Sequence, residues 1–168
     1  ALSDMLRLSL NKGLNTLTVQ EELRQVDSYI TLQKVRFSDS FSVEYNIDPE
    51  IEKCRILKML LQPIVENAII HGFDGMESGG MIFIEGRAVP EGILFSVRNN
   101  GALIDLDKMR RRLDGEDEEE NTRRGYGIRN VNERIKAFYG ANYGIQYSIQ
   151  GQYTVASFLI PNKGGMDE

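Results

Sequence analysis

The chain has 168 residues, 41% of them apolar, a formal net charge of -5 and a single cysteine. That length supports one domain with a core of its own, and an acidic balance with no helix gathering basic residues argues against a nucleic-acid surface. One cysteine excludes an internal disulfide and a thiolate cluster for zinc, and no apolar run is long enough to cross a bilayer, so the chain reads as a soluble, cytoplasmic piece.

Cys54 itself reads as a small buried residue rather than a nucleophile. Because the sequence opens on Ala-Leu-Ser-Asp without an initiator Met or a signal peptide, it is expected to come from something longer. Residues 3–11 are amphipathic and read as the end of a helix that starts upstream. Thr18 and Glu21 form a capping box, so a helix is expected from Val19 to about Arg36, with Leu23, Val26, Tyr29, Ile30 and Val35 at three- and four-residue spacing. Phe41 to Ile47 alternates apolar and polar residues, the period of a half-buried strand, and Asp48-Pro49 ends it with Asp48 able to cap a short turn.

The next stretch, residues 59–72, organises the rest. Leu60, Leu61, Ile64, Val65, Ala68 and Ile69 recur at helical spacing, while Glu66, Asn67 and His71 interrupt the apolar face. Polar groups on a core helix cost free energy unless something satisfies them, and a bound metal or ligand is one candidate. Pro63 is expected to kink this helix or to mark where its regular part begins. Two strands follow, Met81 to Ala88 and Ile93 to Arg98, read as a hairpin turning at Pro90-Glu-Gly92. A short helix is expected over Asp105 to Leu113, and the acidic run from Asp114 to Glu120 as part of a mobile surface loop. Gly125-Tyr-Gly127 opens a helix from Ile128 to Tyr139, and strands over Gly144 to Ile149 and Tyr153 to Ile160 close the chain. The order favours an α/β two-layer sandwich, its mixed and largely antiparallel sheet covered on one face by helices and preceded by a helical linker.

Three loops carry candidate chemistry. Asn67 can offer a neutral oxygen to Mg²⁺, an ion that takes a few protein oxygens plus phosphates and waters, although Asn on a helix is commonly a core or capping residue. Asn99 can accept from an adenine exocyclic amine and donate to a ring nitrogen, and Gly101 would let the ring approach the backbone; Asn-Asn-Gly is also simply a good turn. The glycines at 125 and 127, just before a helix, expose amides at its positive end, suited to phosphate oxygens. Taken singly each is weak; their order and spacing, with Thr154 on the closing strand, make them a set.

That set resembles the nucleotide-binding domain of sensor histidine kinases of the YesM and LytS type, within the gyrase, chaperone and mismatch-repair ATPase superfamily (the Bergerat fold). Leu61-Gln-Pro-Ile-Val-Glu-Asn-Ala-Ile-Ile-His-Gly72 resembles the N box of that family, Asn99-Asn-Gly101 its first glycine box, Gly125 to Arg134 its second, and Thr154 to Pro161 its final strand. The resemblance implies catalysis at Glu66 and Asn67 and Mg²⁺ on Asn67. It implies an ATP site formed by Asn67, His71, Asn99, Gly101, Arg124, Gly125, Tyr126, Gly127, Ile128 and Thr154. It further implies that residues 1–38 end a dimerisation and phosphoacceptor region with its linker, that 39–163 form the ATP-binding catalytic domain, and that 164–168 are a tail. On this reading His71 lines the ribose or phosphates, and the histidine that accepts the γ-phosphoryl group lies upstream of Ala1. The partners implied are that upstream helix, a response regulator and, for the full-length protein, a second copy and an anchor in the bacterial plasma membrane. Three positions depart from the family pattern: Asn99 where Asp is usual, Leu103 in place of a second glycine, and Ile70 where many such kinases carry Lys. Two rival readings follow from the same residues, a regulatory nucleotide-binding module without transfer activity and an ATP-hydrolysing enzyme in which Glu66 activates water.

Overall fold

A computed structural model of the chain describes residues 15–116 and 126–161. The expected helix end over residues 3–11, most of the acidic loop, Arg123, Arg124 and Gly125 lie outside them.

In chain order the elements are β1 (Thr16–Thr18), α1 (Val19–Arg36), β2 (Phe41–Ile47), a 3-10 turn (Pro49–Ile51), β3 (Arg55–Leu57), α2 (Leu61–Gly72), β4 (Gly80–Val89), β5 (Gly92–Asn99), α3 (Leu106–Asp114), α4 (Tyr126–Tyr139), β6 (Gln146–Gln150) and β7 (Tyr153–Pro161). The main sheet has five strands in the order β2-β4-β5-β7-β6. Only β2 and β4 run parallel; the hairpins β4–β5 and β6–β7 and the central pair β5–β7 are antiparallel. The expected sandwich with a mixed, largely antiparallel sheet is therefore the architecture found.

Period-two alternation decides which face carries the helices. Ile82 and Ile84 of β4, Phe95 and Val97 of β5, and Phe158 and Ile160 of β7 are buried in one core with Ile64, Val65 and Ile69 of α2 and Val131 and Ile135 of α4. Gly86 lies opposite Phe95 in the register, and a β-carbon there would press on the tip of Ile51 at 2.9 Å and on the Phe95 ring at 3.1 Å, so glycine lets these side chains close over the strand. On the other face the guanidinium of Arg98 sits 4.5 Å from the centroid of Phe83 and 5.0 Å from that of Tyr153, a cation between two rings.

The capping box forms as its spacing predicts: Glu21 N–H donates to Thr18 Oγ1 at 3.2 Å and the Glu21 carboxylate accepts from Thr18 N–H at 2.8 Å. Pro63 falls in the first turn of α2, where its missing N–H costs no ladder bond, so it marks the start of the helix rather than a kink. Three expectations need correction, and one element was not foreseen. Val35 is 80% exposed, because the last turn of α1 runs past the core that Val26 and Ile30 enter. Asp48 does not cap its turn through its side chain; the carboxylate reaches across to accept from Ala88 N–H at 2.8 Å, tying the end of β2 to β4. Cys54 is exposed, in the turn between Pro49–Ile51 and β3. The small sheet of β1 and β3, which pairs Leu17 with Ile56, escaped the sequence because three residues carry no measurable period.

What positions α2 is a carboxylate from α1. Glu22 is 0% exposed and accepts three backbone N–H groups, from Met59 at 2.9 Å, Leu60 at 2.8 Å and Leu61 at 2.9 Å. A helix start leaves its first amides without intrahelical acceptors and carries partial positive charge, and Leu60, at the cap position, makes no side-chain cap bond of its own. An anion borrowed from α1 therefore does the capping. Met59 holds a left-handed backbone at φ 57°, a conformation that costs a non-glycine residue, and its amide is one of the three that Glu22 binds. From the other side Arg134 of α4 donates to Lys58 O at 2.6 Å and Met59 O at 3.3 Å, and Tyr139 Oη accepts from Leu57 N–H at 3.1 Å. Burial presses the Arg134 guanidinium below its ordinary value, and the nearby Glu22 charge opposes that shift. Among the described residues no helix is long and apolar enough to cross a membrane.

Candidate functional site

Beyond its capped first turn, α2 turns its apolar side into the core and its polar interruptions toward two cavities. Leu61, Ile64, Val65, Ala68 and Ile69 are buried, Glu66 and Asn67 are half-buried, and His71 is exposed. The first cavity, of about 110 Å³, lies between α2 and the strand pair β5–β7, with Asn67, His71, Asn99, Leu103, Tyr147 and Thr154 among its lining residues. The second, of about 250 Å³, lies between α2 and the start of α4, lined by Pro63, Glu66, Asn67, Ile70, His71, Gly127 and Ile128. Asn67 and His71 belong to both. The polar residues that interrupted the helix pattern thus stand where two hollows meet, which explains how a core helix tolerates them.

The floor of the first cavity follows from strand register. Asn99 of β5 pairs with Thr154 of β7 and Val97 with Ala156, so one polar and one apolar cross-strand pair lie side by side. Asn99 is 5% exposed, and its side-chain oxygen accepts from Gly101 N–H at 3.1 Å. Gly101 is required where it stands, since a β-carbon there would run into the carbonyl of Gly72; Ala102 N–H donates to that same carbonyl at 2.8 Å. The end of α2 and the end of β5 are thereby locked together. Thr154 Oγ1 accepts from Ile104 N–H at 3.3 Å, holding the segment that carries Leu103 against β7. Asn100, to which the sequence assigned no role, is a tie rather than a wall: it accepts from Met81 N–H at 2.7 Å and donates to Gly79 O at 2.9 Å.

Of the residues expected to form the site, Asn67, His71, Asn99 and Thr154 gather on the first cavity, and Glu66, Asn67, His71, Gly127 and Ile128 on the second. Gly101 acts from behind Asn99. Tyr126 opens α4, its side chain outside the described part, and Arg124 and Gly125 lie outside it altogether. The three departures all border the hollows: Leu103 lines the first at 54% exposure, Ile70 the second, and Asn99 the floor.

Two residues were missed. Tyr147 of β6 lines the first cavity with its hydroxyl buried; burial pushes its phenol well above the ordinary value, against the pull of the Arg112 charge and the Asn67 side chain. Its place on the alternating strand was legible, but not which helix it would face. Asn132 is 2% exposed, donates to Leu113 O at 3.3 Å and accepts from Ile145 N–H at 2.8 Å, so it joins α4 to the end of α3 and to the approach of β6. On a helix, a lone Asn looks like any surface residue until its partners are known.

Comparison with known proteins adds an independent line. The family described as histidine kinase-, DNA gyrase B-, and HSP90-like ATPase matches residues 53–164, and the histidine kinase family matches residues 1–41. Sensor protein LytS of Staphylococcus haemolyticus is 33% identical over 88% of this chain and 25% of its own length. Sensor histidine kinase YpdA of Escherichia coli is 33% identical over 96% of this chain and 28% of its own. The chain thus spans about a quarter of the length of these curated relatives. Among solved structures, the catalytic domain of histidine kinase ThkA superposes with a TM-score of 0.68 at 19% identity, covering 87% of this chain and 93% of that one. ThkA in complex with the response regulator protein TrrA superposes at 0.63 with 16% identity, covering 96% of this chain and 47% of that one. At such identities these superpositions speak to fold alone.

Proposed function

Since this chain belongs to the histidine kinase-, DNA gyrase B-, and HSP90-like ATPase family, we propose that it is the ATP-binding catalytic part of a sensor histidine kinase, which passes the γ-phosphoryl group of ATP to a histidine upstream of Ala1. The observation that carries the reading is the meeting of two cavities at Asn67 and His71. A flat base fits a slot with an apolar floor and a polar far end, and a phosphate chain fits the hollow at the start of α4, where helix amides and their dipole favour negative charge. Asn67, at the junction, touches both parts of such a molecule.

The residues present also suit Mg²⁺. Among the described residues no cluster of three or more His, Cys, Asp or Glu could hold a metal by itself. What the second cavity offers is the Asn67 amide oxygen with the Glu66 carboxylate beside it. That sparse donor set suits an ion that draws its remaining ligands from phosphates and water. When bound, the ion would neutralise charge on the transferring phosphoryl group. The chain's own part is positioning: Gly127 and Ile128 open α4 toward the phosphates, His71 lies along the ribose and phosphates, and Asn99 and Thr154 hold the base. Arg124, Gly125 and Tyr126 belong to the same proposal by family resemblance, as do residues 1–38 as the end of the phosphoacceptor region, 39–163 as the catalytic domain and 164–168 as a tail. A response regulator, a second copy and a membrane anchor are proposed for the whole protein.

Titration with a fluorescent ATP analogue, with and without Mg²⁺, tests the site. Saturable, Mg²⁺-dependent binding is expected, and none would defeat the proposal. Restoring the upstream region and assaying for an acid-labile phosphohistidine then separates a kinase from a regulatory module, while phosphate release without that product would point to a hydrolase with Glu66 activating water.

A further inference from the structure

We propose that Arg134 is a positioning residue for the phosphate chain: through the backbone just ahead of α2 it sets how far the opening of α4 stands from Glu66, Asn67 and His71. The proposal rests on the nucleotide reading above and adds the group that fixes the width of its phosphate hollow.

Two successive peptide groups lie between a buried anion and a cation. In the peptide that joins Lys58 to Met59, the carbonyl accepts from Arg134 Nη2 at 2.6 Å and the N–H donates to Glu22 at 2.9 Å. In the next, which joins Met59 to Leu60, the carbonyl accepts from Arg134 Nη1 at 3.3 Å and the N–H donates to Glu22 at 2.8 Å. A trans peptide points its C=O and N–H in opposite directions, so guanidinium and carboxylate face each other across the backbone and polarise the same two peptides. Hydrogen bonds with an ionised partner are the strong, directional ones. Met59, left-handed at φ 57°, sits between those peptides, and so costly a conformation persists only where its surroundings fix it.

What this clamp holds is α4. The helix runs against residues 57–71 in the opposite direction: Tyr139 meets Leu57, Arg134 meets Lys58 and Met59, and a β-carbon on Gly127 would lie 3.8 Å from Pro63. Between the two ends Val131 and Ile135 are buried in the core, but burial of apolar surface has no preferred direction and leaves a helix free to shift. The two-pronged bond of Arg134 removes that freedom. Gly127 and Ile128, at the other end of the same helix, form one wall of the second cavity, with Glu66, Asn67 and His71 on the facing wall. Arg134 lines neither cavity, and none of the described residues that line the first cavity belongs to α4. A shift of α4 therefore changes the place for phosphates and spares the place for the base.

The test measures two affinities on the 168-residue chain: that of a non-hydrolysable ATP analogue with Mg²⁺, by calorimetry, and that of adenosine, by NMR shift titration, which reads millimolar binding. Arg134→Met keeps an apolar stem and removes the fork. It is expected to weaken the analogue by about tenfold or more and adenosine by less than about threefold. Arg134→Lys keeps the charge but cannot hold two carbonyls in one plane, and should fall between, with about a threefold loss for the analogue. Equal losses for both ligands would give Arg134 a part in stability alone and overturn the proposal, as would an analogue affinity that Arg134→Met leaves unchanged. If Arg134→Met fails to fold by circular dichroism, the same split on Arg134→Lys decides: a loss confined to the analogue supports the proposal, and any other result overturns it. Failure of the folded native chain to bind the analogue at all brings down the nucleotide reading itself, whereas tight native binding that both variants leave undisturbed brings down only the role of Arg134.

Discussion

At its first turn α2 hands three amides to Glu22, while the carbonyls just before it take two donations from Arg134. Along its second half the same helix presents Asn67 and His71 to two cavities, and its end is tied to its neighbours through the backbone of Gly72. One end is capped and fixed; the other is held in place where its polar side chains line the two hollows. The difference shows how a site is kept open without being loose: rigidity is concentrated one or two turns away from the groups that meet a ligand.

The contrast can be broken first at the fixed end. Glu22→Ala leaves three amides and the Arg134 guanidinium without their anion, and is expected to lower stability by about 3 kcal/mol or more, read as a fall in the urea midpoint at unchanged slope. Next comes the tie between the ends of α2 and β5. Gly101→Ala drives a methyl group into the Gly72 carbonyl and should cost about 2 kcal/mol of stability and at least tenfold in nucleotide affinity, measured on one preparation by denaturation and titration. Asn67→Asp should do the reverse of Glu22→Ala: stability within about 0.5 kcal/mol of the native chain, with Mg²⁺-dependent binding clearly changed. Unchanged affinity there would remove Asn67 from the metal proposal. The smallest effect is expected at Tyr147→Phe, which deletes a buried hydroxyl whose nearest polar neighbour is the Asn67 side chain; stability should stay within about 0.5 kcal/mol of the native chain, read from the thermal midpoint.

Long periodic elements were legible from the chain itself. The bounds of α1 and β2 follow from a capping box and from strict alternation, and α2 from six apolar residues at helical spacing. Elements too short to show a period, β1 and β3, were not, and neither was the reach of Asp48 to Ala88. The site divides in the same way. Asn67, Asn99 and Thr154 could be singled out as residue types in a suggestive order, but Tyr147 and Asn132 look ordinary until the strands and helices that flank them are placed.

Glu22 makes the division clearest. Its helix, its position in the first turn of that helix and its charge are all read from a few neighbouring letters, because local hydrogen bonds and side-chain spacing depend only on nearby residues. That it caps a helix almost forty positions onward, and that Asn99 comes to lie opposite Thr154 on the floor of a cavity, depends on pairings between distant segments. Composition and periodicity settled which elements form and which faces are apolar. Only the packed chain decided which polar groups are already satisfied and which are left to bind, because a hydrogen bond has direction and a sequence does not record it.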